Sequence, residues 1–444
     1  MSDDALRLMA AGMSESAAHS RAALFVRAET ALHEKGLEAS HRIHVPGRIE
    51  VLGKHTDYAG GRSLLVALEK GFCVAAIPRR DALVRILDVG RGEEVTLSLD
   101  PTAAALTSPH WAIYPSAAVR RLARDFKAPL QGADICLISD LPPSSGLSSS
   151  SALLIATFEA LRLANRLDTR EDFSLALPGV LEVAAYLGSV ESGRPFRGFA
   201  FEAGVGTSGG SQDHTAILAS EAGRVSRFAF APVRSEGSVR LPAEITFVVA
   251  VSGVVAQKTA GAREAYNRAA SLSAAILRKW RSTTERGDAT LFEAVASGEG
   301  AYGHLREALG SGESGFTAEA LQARLDQFVE ESLVLIPAAF AALSAGDLAA
   351  FGRAVERSQR GAETGLGNQV EETRELPRLA CSLGAHAASA FGAGFGGSVW
   401  ALVSRSEAEG FRAAWEAEFK RRYDHPAANF FLTGAGPPLL RLAG

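Results

Sequence analysis

Three glycine-rich clusters bring together the residue types that handle phosphates and hydroxyls: Pro46–Gly61, Pro142–Ala152 and Gly392–Gly397. The first carries Arg48, Lys54, His55 and Asp57 among its glycines. Its Gly47…Gly53-Lys54 run approximates a phosphate loop, but five residues separate the glycines where four are needed, and His55 stands where a metal-binding hydroxyl belongs. The third cluster has glycines at 392, 394 and 397, the spacing of a dinucleotide fingerprint. That fingerprint must follow a strand and open a helix; here the pattern predicts a helix over Leu383–Ala390 and a strand afterwards, the reverse context. The middle cluster is the most informative. A predicted strand, Ala133–Ile138, runs through Pro142-Pro143 into a Gly-Ser loop and a helix beginning near Ser148. The free N–H groups and positive dipole end of such a helix attract anions, Gly146 lets the amides approach, and the serines from Ser148 to Ser151 add hydroxyls that can cap the helix or bind a metal. The chemistry is that of a phosphate cradle; a Ser-capped helix without a ligand is the alternative.

The elements that must position these clusters alternate irregularly. Residues 1–40 read as helix, followed by β-type runs at Val74–Ile77, Leu83–Leu87 and Val95–Leu99. Helices are predicted over His110–Phe126, Ser148–Leu167 and 174–192, with a Gly-rich stretch at 203–210. A second set begins with a buried strand over Ile245–Ala256 and continues with helices over 258–281, 317–330, 333–345, 347–359 and 369–387. It ends with a strand over Ser398–Val403, a helix over Glu407–Arg422 and a strand over Phe430–Leu432. Without a steady βαβ alternation the pattern favours α+β over a doubly wound sheet. The polar segment Arg234–Pro242 suggests a boundary within 220–245, dividing the chain into domains 1–230 and 231–444.

Composition narrows the classes. With 46 Lys+Arg against 50 Asp+Glu, the net charge of −4 argues against nucleic acid as a partner. Cys73, Cys136 and Cys381 are too widely separated for a disulfide framework or a zinc pattern, and a reducing cytoplasm is the simplest compartment. The best candidate for a membrane span, Ile245–Ala256, is 12 uncharged residues, too short to cross, and the N-terminus lacks signal-peptide character.

Together the clusters resemble the three motifs of the GHMP small-molecule kinases. The segment Gly47-Arg48…Gly53-x-His55-Thr56-Asp57-Tyr58-x-Gly60-Gly61 is similar to the galactokinase signature, Pro142–Ala152 to the family phosphate loop, and Phe391–Gly397 to its third motif. Trp111-Ala-Ile-Tyr114, Gly210-Ser-Gln-Asp213 and the Tyr266-Asn267-x-type segment resemble further galactokinase stretches, in order along the chain. The resemblance implies a two-domain α+β fold, an interdomain active site, and ATP-Mg²⁺-dependent phosphorylation of a monosaccharide at its anomeric hydroxyl.

It also implies roles. Arg48 would supply positive charge near the γ-phosphate, and Asp213 would orient or deprotonate the sugar hydroxyl. Ser145, Gly146, Leu147, Ser148, Ser149, Ser150 and Ser151 would wrap the ATP phosphates, with Trp111 against adenine. Ser150, with Ser149 and Ser151 as rivals, and Glu191, with Glu182 behind it, would ligate Mg²⁺. Lys54, His55, Asp57, Tyr266, Gly394 and Gly396 would form the sugar pocket. A monomer or weak homo-oligomer is expected, with sugar and ATP as its partners and neither nucleic acid nor membrane. Two positions depart from the family: Lys54 stands where it has Glu, and Glu50 where it has Asn. Three readings follow. Lys54 pairs with Glu50 or Asp57 and the substrate stays galactose-like; Lys54 binds the carboxylate of a uronic acid such as galacturonate; or the sugar differs otherwise. A reading of another class is a non-catalytic sugar- and ATP-binding regulator.

Overall fold

The computed structural model describes residues 2–126, 129–254 and 260–442; the ends of the strand and helix expected at 255–256 and 258–259 lie outside the described residues. The strands, in chain order, are β1 (His41–Leu52), β2 (Arg62–Pro78), β3 (Leu83–Asp88), β4 (Glu93–Ser98), β5 (Ala133–Ser139), β6 (Arg224–Ala229), β7 (Arg234–Arg240), β8 (Ile245–Val251), β9 (Ala387–Phe391), β10 (Ser398–Ser404), β11 (Asn429–Thr433) and β12 (Leu440–Leu442). The larger sheet runs β12-β1-β2-β5-β3-β4, with β6 and β7 attached along β2; the smaller runs β11-β8-β10-β9. Every pairing is antiparallel except β3 with β5. Mixed sheets with helices packed against them make this an α+β fold, as expected.

Helices cover both faces of the larger sheet. Asp3–Ala10 and Glu15–His33 close one face through Leu8, Phe25 and Leu32 against Cys73, Ala75, Cys136 and Ile138. Helix Ser149–Ala164 packs on β1 and β2 across the other, and Leu154, Ile155, Phe158 and Leu161 along it are fully enclosed. A single apolar cluster runs from Val66 and Ile86 of the larger sheet to Phe247, Trp400 and Leu402 of the smaller.

The structure corrects several expectations. β1 and β2 run through and beside the first glycine cluster, whose turn-forming residues hide them in a sequence pattern. Helix 174–192 is two helices, Glu171–Ala176 and Val180–Ser192, broken at Pro178-Gly179, where proline removes a donor and glycine flexes the chain. Helix 369–387 stops at Ser382, and 387–391 is strand β9. The third glycine cluster therefore joins two antiparallel strands, not a helix to a strand. The division expected at residue 230 does not coincide with the sheets, because β7 and the terminal β12 both belong to the larger one. The helices expected at 317–330 and 333–345 form one continuous run, Ala318–Ser344, joined by a π-helical turn at Glu330–Leu335. That run has the length and apolarity of a membrane span, although half of its most apolar window is buried inside the fold.

Candidate active site

β1 carries the first catalytic candidates. Its register against β2 shifts between Pro46 and Arg48 and again between Glu50 and Leu52. Such bulges re-aim a strand, and residues two apart share a face, so Arg48 and Glu50 together line a cleft of about 290 Å³. The wall of this cleft also includes Trp111, Gly146, Ser148, Ser149, Ser150, Ser151, Glu191, Asp213 and Tyr266.

The phosphate loop lies at one end. Gly146 and Ser148 are both left-handed, with φ of 75° and 62°, and helix Ser149–Ala164 starts directly after them. The Arg48 guanidinium donates to the Gly146 carbonyl, and the Ser398 hydroxyl donates to the Ser145 carbonyl at 2.6 Å. The third cluster braces this loop: a side chain at Gly392 would come within 3.0 Å of the Gly146 carbonyl oxygen. Two expected nucleotide contacts turn inward. The Ser145 hydroxyl donates to the Pro142 carbonyl at 2.6 Å, and Leu147 is buried in the core. Both shape the loop without lining the cleft.

At the centre, Arg48 Nε donates to Asp213 Oδ1 at 2.8 Å. Burial opposes ionisation of Asp213, but the Arg48 guanidinium overrides it and holds the carboxyl below the usual range. Asp213 is therefore an anion at neutral pH, able to accept a hydrogen bond from a hydroxyl. Nearby, Ser151 Oγ donates to Glu191 Oε2 at 2.7 Å. His214, which the sequence did not single out, places Nε2 3.1 Å from the same oxygen, an ion-pair distance without hydrogen-bond geometry. A hydroxyl and a carboxylate side by side form a hard-oxygen pair of the kind magnesium prefers. Ser150 lines the cleft beside them. Glu182 does not line the cleft and pairs instead with Arg197 at 3.6 Å.

His55, Asp57 and Tyr266 meet at the other end. His55 is left-handed (φ 57°), with Nδ1 3.0 Å from the Tyr58 hydroxyl and Nε2 3.2 Å from the Ala393 carbonyl. Burial pushes its pKa down to about 4, so the ring is neutral. Its ring packs 5.1 Å from that of Tyr266. Asp57 accepts the Gln212 amide at 3.0 Å, and burial raises its pKa. Gly210 admits this contact, since a side chain there would come within 2.4 Å of Asp57 Oδ2. The helix carrying Tyr266 is tied to the same loop through Asn267, which accepts the Ser208 amide at 2.8 Å. Gly394 and Gly396 line this end too. Gly394 lets the Asn368 carbonyl approach, 2.4 Å from where a Cβ would stand.

Lys54 is the largest departure from expectation. It is 1% exposed and does not line the cleft. Its Nζ donates to Ser389 at 2.8 Å and Ser358 at 3.0 Å, behind the wall. Glu331, on the π-helical turn, accepts the amides of Gly53 and Lys54 and the Ser358 hydroxyl, fixing the turn that points Lys54 inward. The ammonium therefore stands outside the cleft lining, where the uronate reading needs it to reach a substrate carboxylate. No motif or spacing points to Ser358, Ser389 or Glu331, which lie about 300 residues further along the chain. Phe391, at the edge of the third motif, places its ring 5.6 Å from the Arg48 guanidinium. Trp111 lines the cleft and donates its indole N–H to Glu93.

Two sheets, a glycine-serine loop at a helix start and an Arg-Asp pair facing it define a small-molecule kinase of the GHMP class. The GHMP kinase N-terminal domain matches residues 114–196, the C-terminal domain matches 339–421, and the galactokinase galactose-binding signature matches 32–78. A galactokinase of Chloroflexus aggregans is 30% identical over 390 residues, covering 85% of this chain and 87% of that protein. One from Roseiflexus sp. is 29% identical over 374 residues, covering 83% and 85%. The fold is that of Lactococcus lactis galactokinase, solved in complex with galactose: TM-score 0.75, 21% identity, 93% of this chain and 98% of that one. The chain belongs to the galactokinase family, and it is an ATP-dependent sugar kinase.

Proposed function

We propose that this kinase transfers the γ-phosphoryl group of ATP to the anomeric hydroxyl of galactose or a closely galactose-like neutral hexose. The observation that carries the reading is the 2.8 Å Arg48–Asp213 pair, between the phosphate loop and the His55-Asp57-Tyr266 end. Phosphoryl transfer needs an aligned hydroxyl and neutralised phosphate charge, with little covalent chemistry from the protein. Gly146 and Ser148–Ser151 would cradle the phosphates at the helix start, with Trp111 toward the base. Arg48 would neutralise developing charge, and the anionic Asp213 would hold the sugar hydroxyl in line and take its proton as the bond forms. Asp57 would accept hydroxyl hydrogen bonds, with neutral His55 and Tyr266 shaping the pocket.

Magnesium fits the donors present. Among the described residues no cluster of three or more His, Cys, Asp or Glu side chains is placed to hold a metal. Mg²⁺ in kinases is bound by one or two protein oxygens plus phosphates, and Glu191 with the hydroxyls of Ser150 and Ser151 would supply them. When bound, it would offset phosphate charge.

Asp213→Asn tests the assignment. Turnover should fall by about a hundredfold or more while galactose binding, read by calorimetry, survives. Near-normal kcat in that variant would overturn Asp213's role.

A further inference from the structure

The cleft wall holds a carboxylate with no role so far. Glu50 is 2% exposed and lines the cleft beside Arg48, yet its Oε1 is enclosed without any hydrogen-bond partner. Among the described residues no hydrogen bond reaches its carboxyl; burial acts on it first, and then the charges of Lys54, Arg48, Glu331 and Asp213. A buried carboxyl left unbonded is expensive and rarely tolerated without a purpose. The donors that might have bonded it are engaged elsewhere: Lys54 with Ser358 and Ser389, and Arg48 with Asp213 and Gly146. Glu50 itself lines the cleft, so a ligand hydroxyl there is the partner still open to its carboxyl.

We propose that Glu50 is a specificity-determining residue that contacts the substrate, accepting a hydrogen bond from one hydroxyl of a neutral monosaccharide. The inference rests on the sugar-kinase reading above and deepens it. The buried Lys54 acts as a countercharge behind Glu50, without touching the sugar. Two oddities of this sequence, acid at position 50 and base at 54, thus become one arrangement. The acid faces the substrate and the base supports it from behind. A carboxylate in the wall suits a hydroxyl-bearing neutral sugar and repels a second carboxylate.

The test is a panel of galactose and its 2-, 3-, 4- and 6-deoxy analogues, assayed for kcat/KM with wild type, Glu50→Gln and Glu50→Ala. In wild type, removing the hydroxyl that Glu50 holds should cost about tenfold or more, because the acceptor is left unpaired. In Glu50→Ala that penalty should collapse toward unity, while the other deoxy penalties and the KM for ATP stay as in wild type. Glu50→Gln, which keeps an acceptor and the shape, should retain part of it. Thermal melting with ATP verifies that each variant is folded. Identical deoxy penalties in wild type and both variants would overturn the proposal and leave the kinase reading intact. A wild type that turns over none of the sugars would bring both down. Should Glu50→Ala fail to fold, Glu50→Gln decides: an unchanged penalty pattern in it is also an overturning result.

Discussion

At the residue scale, the cleft sets ionised and unionised groups side by side. Arg48 keeps Asp213 charged, whereas burial neutralises His55 and pushes the Glu50 carboxyl up to about 7, with Lys54 and Arg48 opposing that rise. Glu50 therefore has a stability signature distinct from its role in catalysis. Its folded pKa lies above the unfolded value of 4.5, so its contribution is fully present below pH 4.5 and is lost as pH rises through about 7. Glu50→Gln removes the titration. Relative to wild type it should stabilise the fold at pH 8, by up to roughly 3 kcal/mol, with the advantage vanishing near pH 4.5. Urea denaturation at the two pH values checks this, and an equal difference at both would show that the carboxyl does not titrate as described. The same substitution should weaken discrimination among deoxy sugars, so stability and selectivity move in opposite directions.

At the element scale, function depends on how tightly loops are allowed to approach. The stretch 203–210 brings Gly210 against Asp57, and a methyl group there has no room. Gly210→Ala should raise the KM for galactose at least about tenfold and leave that for ATP unchanged, since the phosphate loop sits on a different element. Steady-state kinetics with each substrate varied in turn decide it; a matching rise for both would mean that the loop serves the whole cleft. This scale is also where sequence and structure part. Arg48, Asp213, His55 and Asp57 were legible because short motifs fix their types and spacing. The direction of Lys54 was not. It depends on Glu331 pinning the preceding amides and on Ser358 and Ser389 receiving the ammonium, all contacts between distant parts of the chain. The strand at 387–391 was hidden for a related reason: Ala-Ala-Ser-Ala is as good a helix as a strand until β10 pairs with it.

At the scale of the whole molecule, the two sheets share one apolar core and the cleft is assembled from both. The chain leaves the larger sheet after β7, builds the smaller one and returns through β12 to pair with β1. Arg48 and Glu50 lie on that same β1, so the strand that pairs with β12 also carries the centre of the site. Glycine, abundant in this sequence, serves the arrangement at close approaches: Gly392 against the phosphate loop, Gly394 against Asn368 and Gly210 against Asp57. On the proposed function, this assembly phosphorylates a galactose-like neutral sugar at its anomeric hydroxyl. The most direct measurement is ADP release by the wild-type chain with ATP and magnesium, against galactose and galacturonate, with phosphorus NMR of the product. The expected result is galactose-dependent ADP release, a sugar 1-phosphate signal, and no turnover of galacturonate. Turnover of galacturonate in preference to galactose, or galactose binding without ADP release, would contradict it.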